Sequence, residues 1–294
     1  MTQTPPHTLT RLRRMLDRLE QTPDDPPDLT ALSAVAALSP YHVHRLFRAC
    51  CGVTPHRYGQ LLRLKQAAWR LAFRPNSTVT AIALDAGYDT PDAFARAFRQ
   101  RFGLAPSRFR AVPDWTAAAR TLTPLTLARH RLGRIPMPTL SDVTVVTTAP
   151  VPVAVLEHHG DPATLGDTIR RFIDWRRAVR LPPAVSATYT VFPCDPAATP
   201  PQDFRLDLCC ATPGPVAANP QGVRAGRIPG GRRARLRVIG GDDALEAAAL
   251  FLYRDWLPAS GETPGDAPLY CQRLRFFPDV PEAEAELDLY LPLR

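Results

Sequence analysis

A chain of 294 residues with 45% hydrophobic and 22% charged residues has the composition of a globular protein and is long enough for two domains with separate cores. No apolar run approaches the roughly 18 to 20 residues of a membrane span, and the opening MTQTPPHTL lacks a secretory signal, so a cytoplasmic address without a membrane partner is expected. The formal charge of +8 is uneven: residues 1–138 hold 20 Arg and Lys against 9 acids, net +11, while the remainder holds 16 against 19, net −3. An N-terminal surface for a polyanion, nucleic acid or anionic membrane, joined to a domain with another task fits that split.

Leu9, Leu12, Leu16 and Leu19 recur at helical spacing among Arg11, Arg13, Arg14 and Arg18, which predicts an amphipathic helix ending before TPDDPPD. Asp28 is placed to cap a short apolar helix through Leu38. Ser39-Pro40 then restarts the chain, Ser as N-cap and Pro at the first helical position, for the helix YHVHRLFRACCG. Thr54-Pro55 opens a longer helix, HRYGQLLRLKQAAWRLAF, with an apolar stripe at Leu61, Leu64, Ala68 and Leu71, ending near Pro75. The next stretch repeats the first: a short apolar helix TVTAIALDAG, a Thr90-Pro91 restart, the helix DAFARAFRQRFG and another Pro. At a constant offset of 51, Pro40 matches Pro91, Arg45 matches Arg96, Phe47 matches Phe98, Arg48 matches Arg99, Gly52 matches Gly103 and Pro55 matches Pro106.

Residues 113–141, with TLTPLTLARHRLGRIPMPTL, mix Thr, Pro and Arg without a clear period and read as a linker. Beyond it, VTVVTT, VPVAVLEH, RRARLRVIG and AELDLYLPL alternate like strands, separated by the helical stretches LGDTIRRFIDWRRAV and ALEAAALFLYRDWL. This half repeats at an offset of 81: Gly160 and Gly241, Asp174 and Asp255, Trp175 and Trp256, Tyr189 and Tyr270, Leu206-Asp207-Leu208 and Leu287-Asp288-Leu289. A duplicated α+β module with a cleft between its copies is the architecture this predicts.

A helix-turn-helix needs a short helix, a tight turn and a second helix whose N-terminal residues can enter the major groove. In the first repeat Tyr41, His44 and Arg45 lie near the start of the second helix, with Val43, Leu46 and Phe47 inward; in the other, Asp92 and Arg96 point outward and Phe94 and Phe98 inward. Arg can chelate guanine, His and Asp can make single base contacts, and Tyr can touch sugar or a thymine methyl. A single outward Arg reads more readily as a solvated helix face; two matched copies with matched Ser/Thr-Pro starts reverse that and favour recognition.

SPYHVHRLFRACCGVTPHRY and GYDTPDAFARAFRQRFGLAPSRFR resemble the AraC/XylS family of transcription regulators over residues 8–112. The resemblance implies a seven-helix domain in which a long central helix joins two helix-turn-helix units, whose recognition helices enter successive major grooves of promoter DNA. By matching positions, the first recognition helix offers Tyr41, His44 and Arg45, and the second Pro91, Asp92, Ala93 and Arg96, with Arg48, Arg99 and Arg101 as phosphate neighbours. Family members often carry polar residues where Pro91 and Ala93 stand, so the second helix is expected to read fewer bases here and to act more through phosphate contacts and DNA bending.

HHGDPATL, TPPQDFRLDL, RIPGG, YRDWLPASGETPGDAPLY and LDLYLPL resemble the gyrase-inhibitor-like effector-binding family over residues 142–294. That resemblance implies two pseudo-symmetric β-α-β-β units with a groove lined by aromatic residues, for which Tyr189, Trp256 and Tyr270 are the candidates, with packed core as the competing reading. Many members place a glutamate where this chain has Cys271, so a neutral, apolar small-molecule effector is expected in place of a cation. Cys271 also carries the lesser reading of a reactive thiol, and the strand pair Cys209-Cys210 reads as buried packing. The six cysteines lack the CxxC spacing of zinc sites, and neither a metal nor a cofactor is expected.

The whole reads as two domains, an all-α double helix-turn-helix followed by an α+β domain, forming a ligand-modulated transcription regulator with promoter DNA, RNA polymerase and a small effector as partners. An enzyme is the competing class, a hydrolase of small electrophiles using Glu157, Asp207 or Asp288; a protein-interaction domain is a third. No GxSxG motif or phosphate-cradling glycine loop appears, RIPGGRRAR lacks the P-loop lysine, and no catalytic residue is assigned.

Overall fold

The computed structural model describes residues 6–23, 27–133, 138–195, 198–277 and 279–294. Parts of the Pro-rich break (24–26) and of the expected linker (134–137) lie outside them. Two compact units emerge: the first comprises Met1–Pro136 with Phe277–Glu284, the second Met137–Phe276 with Ala285–Arg294.

The first unit is helical: α1 (Pro6–Gln21), α2 (Leu29–Ala36), α3 (Pro40–Cys51), α4 (Pro55–Phe73), α5 (Val79–Asp85), α6 (Pro91–Phe102), α7 (Pro106–Ala111) and α8 (Trp115–Arg131). Caps form at three expected starts, where Asp28 accepts from the Ala31 amide, Thr54 from Arg57 and Thr90 from Ala93, and Thr78 adds one by accepting from Ala81; Ser39, the expected cap of α3, has the extended cap backbone but makes no side-chain cap bond. Pro follows the cap in α3, α4 and α6, where its missing N–H leaves no donor orphaned. Both α3 and α6 end on a glycine with positive φ, Gly52 at 80° and Gly103 at 74°, conformations that L side chains resist.

Two cores share this unit. One gathers α1, α2 and α3 around Phe47, Tyr58 and Leu61; the other gathers α5, α6 and α7 around Phe94, Phe98, Phe102 and Phe109. Helix α4 runs through both, giving Tyr58 and Leu61 to the first and Leu64, Ala68 and Leu71 to the second. Helix α8 also braces both, with Ala118 in the second core, Leu125, Ala128 and Leu132 in the first, and Leu122 against each. This corrects the reading of residues 115–131 as linker. Positions 118, 122, 125, 128 and 132 form a helical stripe, and the Thr, Pro and Arg between them concealed it.

The second unit is an antiparallel sheet carrying helices. It contains β1 (Val143–Thr148), β2 (Val151–His159), α9 (Leu165–Ala178), β3 (Thr188–Phe192), β4 (Arg205–Ala211), β5 (Arg224–Ile228), β6 (Gly231–Ile239), α10 (Asp242–Phe251), a π-helical turn (Leu252–Trp256), α11 (Leu257–Ser260), β7 (Leu269–Arg275) and β8 (Glu286–Pro292). The strand order is β1-β6-β8-β7-β3-β4-β2-β5. Alternation divides each strand: on β2, Ala154 and Leu156 meet Phe172 and Trp175 of α9, whereas Val153 and Val155 join Tyr189, Cys209, Tyr270 and Tyr290 on the opposite face. Among the described residues, no helix is long and apolar enough to cross a membrane.

Candidate DNA interface and candidate effector site

Each recognition-helix candidate presents one buried and one open face. Val43, Phe47 and Cys51 anchor α3, and Phe94, Phe98 and Phe102 anchor α6, at matching helical positions. The α6 anchor is aromatic throughout: Phe98 stacks on Phe102 at 4.4 Å and meets Phe109 edge-on at 5.3 Å. Tyr41, His44, Arg45 and Arg48 are exposed on α3, and Pro91, Asp92, Ala93, Arg96 and Arg99 are exposed on α6. The Arg45 guanidinium lies 4.3 Å from the centre of the Tyr41 ring, a cation–π contact that holds two candidate base-reading groups together. Helix α3 bears Arg45 and Arg48 and no acid; α6 bears Arg96, Arg99 and Arg101 against Asp92. Arg101 is half-buried, and its backbone carbonyl accepts from the Thr121 hydroxyl at 2.8 Å.

Beside the first of the two cores, to which Tyr58 belongs, sits a buried charge cluster that the sequence reading did not find. The Tyr58 hydroxyl and the Arg129 Nε both donate to Glu20 Oε1, at 2.5 and 2.8 Å. Arg129 also lies 2.9 Å from Glu282 Oε2, to which Lys65 donates at 2.6 Å. Burial pushes the Tyr58 hydroxyl well above its usual range, with Glu20 adding to the rise. Burial alone raises Glu282, yet Lys65 and Arg129 together outweigh it and hold the carboxyl below the usual range. The partners lie 38 to 217 residues apart, a separation no local pattern reports.

In the second unit the structure brings Tyr189 and Tyr270 together, with ring centres 6.5 Å apart, and adds Tyr290, stacked on Tyr270 at 4.9 Å. Tyr290 was missed; the alternation of LDLYLPL, with its leucines on the other face, was the available signal. All three rings are under 10% exposed, so they form a packed aromatic cluster. Burial pushes the Tyr290 hydroxyl up to about 12, helped by Asp288 and Tyr270. Asp207 and Asp288 share this face of the sheet by strand alternation, and each is held by an arginine: Arg205 on Asp207 and Glu157, Arg237 on Asp288 and Glu286.

Trp256 and Cys271 do not join that cluster. Trp256 is buried on the π-helical turn after α10. Cys271 alternates with Tyr270 along β7, so its side chain takes the opposite face, where its neighbour Arg273 lies 3.8 Å from Asp242 of α10. The expectation of Cys271 beside the tyrosines therefore gives way to a thiol under the helical layer. Burial raises that thiol, and Arg273, which lowers it, does not offset the rise. Cys209 belongs to the tyrosine face and Cys210 to the α9 face, both buried.

These geometries can be set beside known proteins. Residues 141–294 match the family described as GyrI-like small molecule binding domain, and residues 32–111 match the helix-turn-helix domain family. The chain is 37% identical over 153 residues to the probable transcriptional regulator YgiV of Escherichia coli K12, covering 52% of this chain and 96% of that one. It is 33% identical over 142 residues to the right origin-binding protein of the same organism, covering 47% of this chain and 45% of the relative, less than half its length. A solved structure of a probable AraC family transcriptional regulator from Rhodopseudomonas palustris aligns at 27% identity and a TM-score of 0.33, over 35% of this chain and 97% of that one. With the first match spanning more than half of its residues, the chain belongs to the GyrI-like small-molecule-binding family, and it carries a helix-turn-helix domain ahead of that module.

Proposed function

We propose that the chain is a transcription regulator that grips promoter DNA through α3 and α6 and is modulated by a small effector bound in its second unit. The observation that carries this is the duplicated recognition element: two Pro-started, Gly-terminated helices at an offset of 51, each with an aromatic anchor inward and arginines outward. Residues 8–112 are the DNA-binding domain and 142–294 the effector module; of the eight described helices of the first unit, the seven from α1 to α7 form that domain and α8 follows it as a brace. Tyr41, His44 and Arg45 read bases from α3. Asp92 and Arg96 do so from α6, where Pro91 and Ala93 offer little hydrogen bonding and shift the balance toward phosphate contacts through Arg99. The regulator name of the YgiV relative supports a non-enzymatic role; recruitment of RNA polymerase is the output we infer for this chain.

The effector module reads as two β-α-β-β units, β2-α9-β3-β4 and β6-α10-β7-β8, related by a pseudo-two-fold axis. The strand order supports this, since β6-β8-β7 and β3-β4-β2 run outward from a shared β7–β3 seam in mirrored sequence. The pairing of Thr190 with Cys271 supports it further: these two residues are themselves 81 apart, so the axis passes through them and Tyr189 and Tyr270 flank it. The effector is neutral and apolar. Three tyrosine rings provide the surface, and the two aspartates beside them are already ion-paired to Arg237 and Arg205. Selection of bound sequences from random duplex DNA by the full chain tests the reading; an asymmetric site with two elements about one helical turn apart supports it, and enrichment of nothing overturns it.

A further inference from the structure

The first unit contains one segment that is remote in sequence from all its other members, Phe277–Glu284. Three of its side chains are fixed on α4 or α8. The Phe277 ring meets Trp69 edge-on at 5.6 Å and lies under the Lys65 ammonium at 5.6 Å. Asp279 pairs with Arg74 at the end of α4, and Glu282 receives both Lys65 and Arg129. Lys65, Trp69 and Arg74 all belong to α4 or its C-cap, and α4 is the helix that passes through both helix-turn-helix cores. Its orientation therefore sets where α3 and α6 stand relative to each other. The segment's own ends continue directly into β7, which carries Tyr270, and β8, which carries Tyr290. Those two rings stack at 4.9 Å and are buried, so a molecule can enter the cluster only by parting the strands' side chains.

We propose that Phe277–Glu284 is the coupling element of this regulator: a strap whose ends are set by the two tyrosine-bearing strands and whose middle clamps α4 and α8, so that filling the tyrosine cluster and binding DNA bias one another. The proposal rests on the regulatory reading above. Its chemistry suits a switch, because a carboxylate buried between a lysine and an arginine is either fully paired or costly, with little in between. Coupling of this kind is reciprocal: whatever an effector does to DNA affinity, DNA must do to the effector site. Duplex DNA itself can therefore probe the coupling without knowledge of the effector.

The experiment is hydrogen–deuterium exchange of the full chain with and without a saturating duplex taken from the selected pool, read at the β7 and β8 amides. In the wild-type protein, DNA is expected to change exchange there by about five-fold or more, the lower end of ordinary allosteric coupling. In Glu282→Gln, which keeps the side-chain volume, and in Phe277→Ala, at a half-exposed position, the duplex still binds but the β7 and β8 response is lost. Unchanged exchange at β2 and β4 in the free variants checks that the sheet is intact. An unresponsive β7–β8 pair in DNA-saturated wild-type protein overturns the strap, as does a full response in both variants. If the wild-type chain binds no duplex at all, the regulatory reading falls first and the strap with it.

Discussion

Replacing Arg129 with methionine removes the cation that sits between two buried carboxylates. Arg129 is 7% exposed and Glu20 4%; the arginine bridges Glu20 at 2.8 Å and Glu282 at 2.9 Å. Methionine keeps much of the length of the side chain, so the loss is chiefly electrostatic. Glu282 retains Lys65, whereas Glu20 is left with only the Tyr58 hydroxyl as a donor among the contacts described above. Breaking a buried pair from one side costs about 3–5 kcal/mol, a large share of the roughly 5–15 kcal/mol of a typical domain. Adding Glu20→Gln removes the orphaned charge, and the double variant is expected to recover about 2 kcal/mol relative to the sum of the single losses. Urea unfolding of the full chain, with hydrogen exchange at α4 and α8 to localise the effect to the first unit, measures both numbers. A loss below about 1 kcal/mol for Arg129→Met, or strict additivity in the double variant, refutes the description of this cluster as a coupled buried network.

Other outcomes follow from the same structure. Because Lys65 and Arg129 hold the Glu282 carboxyl below its ordinary value, its stabilising contribution is complete above the unfolded carboxylate range and is lost as pH falls through the lower folded value. Acid loosening of α4 and α8 by exchange is therefore expected below about pH 4.5, and Glu282→Gln should flatten that dependence; an identical acid profile in the variant contradicts the assignment. Iodoacetamide labelling of the native protein at neutral pH should spare Cys271, Cys209, Cys210 and Cys51, which are buried and whose thiols burial raises, while Cys50 and Cys194 react first. Rapid labelling of Cys271 would restore it as a sensing thiol. DNA affinity should fall steeply with salt, as neutralising about 6–10 phosphates requires, and a flat response would displace the interface from the basic faces of α3 and α6.

The helix-turn-helix half was legible because its signals are local. Asp28, Thr54 and Thr90 each precede a helix by one residue, and their caps formed where the sequence placed them, whereas Ser39 starts α3 without a side-chain cap bond. The offset of 51 also placed Phe47 and Phe98 inward, as both cores require. In the sheet, the offset of 81 found Tyr189 and Tyr270 but not Tyr290, which stands opposite Cys209 in the repeat and so has no aromatic counterpart. Cys271 was misplaced by one step of alternation, the shift that moves a strand side chain from one face of a sheet to the other. Helix α8 was hidden by its composition. The Glu20, Tyr58, Arg129 and Glu282 cluster was hidden by distance along the chain, since only folding brings those residues together.

If α3 and α6 each read one element of a bipartite site, paired selections with Arg45→Ala and Arg96→Ala separate the two elements. Each variant should lose about 1–3 kcal/mol of discrimination at one base position, Arg45→Ala in one element and Arg96→Ala in the other, about one helical turn away. Loss of preference in the same element for both variants, or an equal weakening on every sequence, would contradict a double recognition surface.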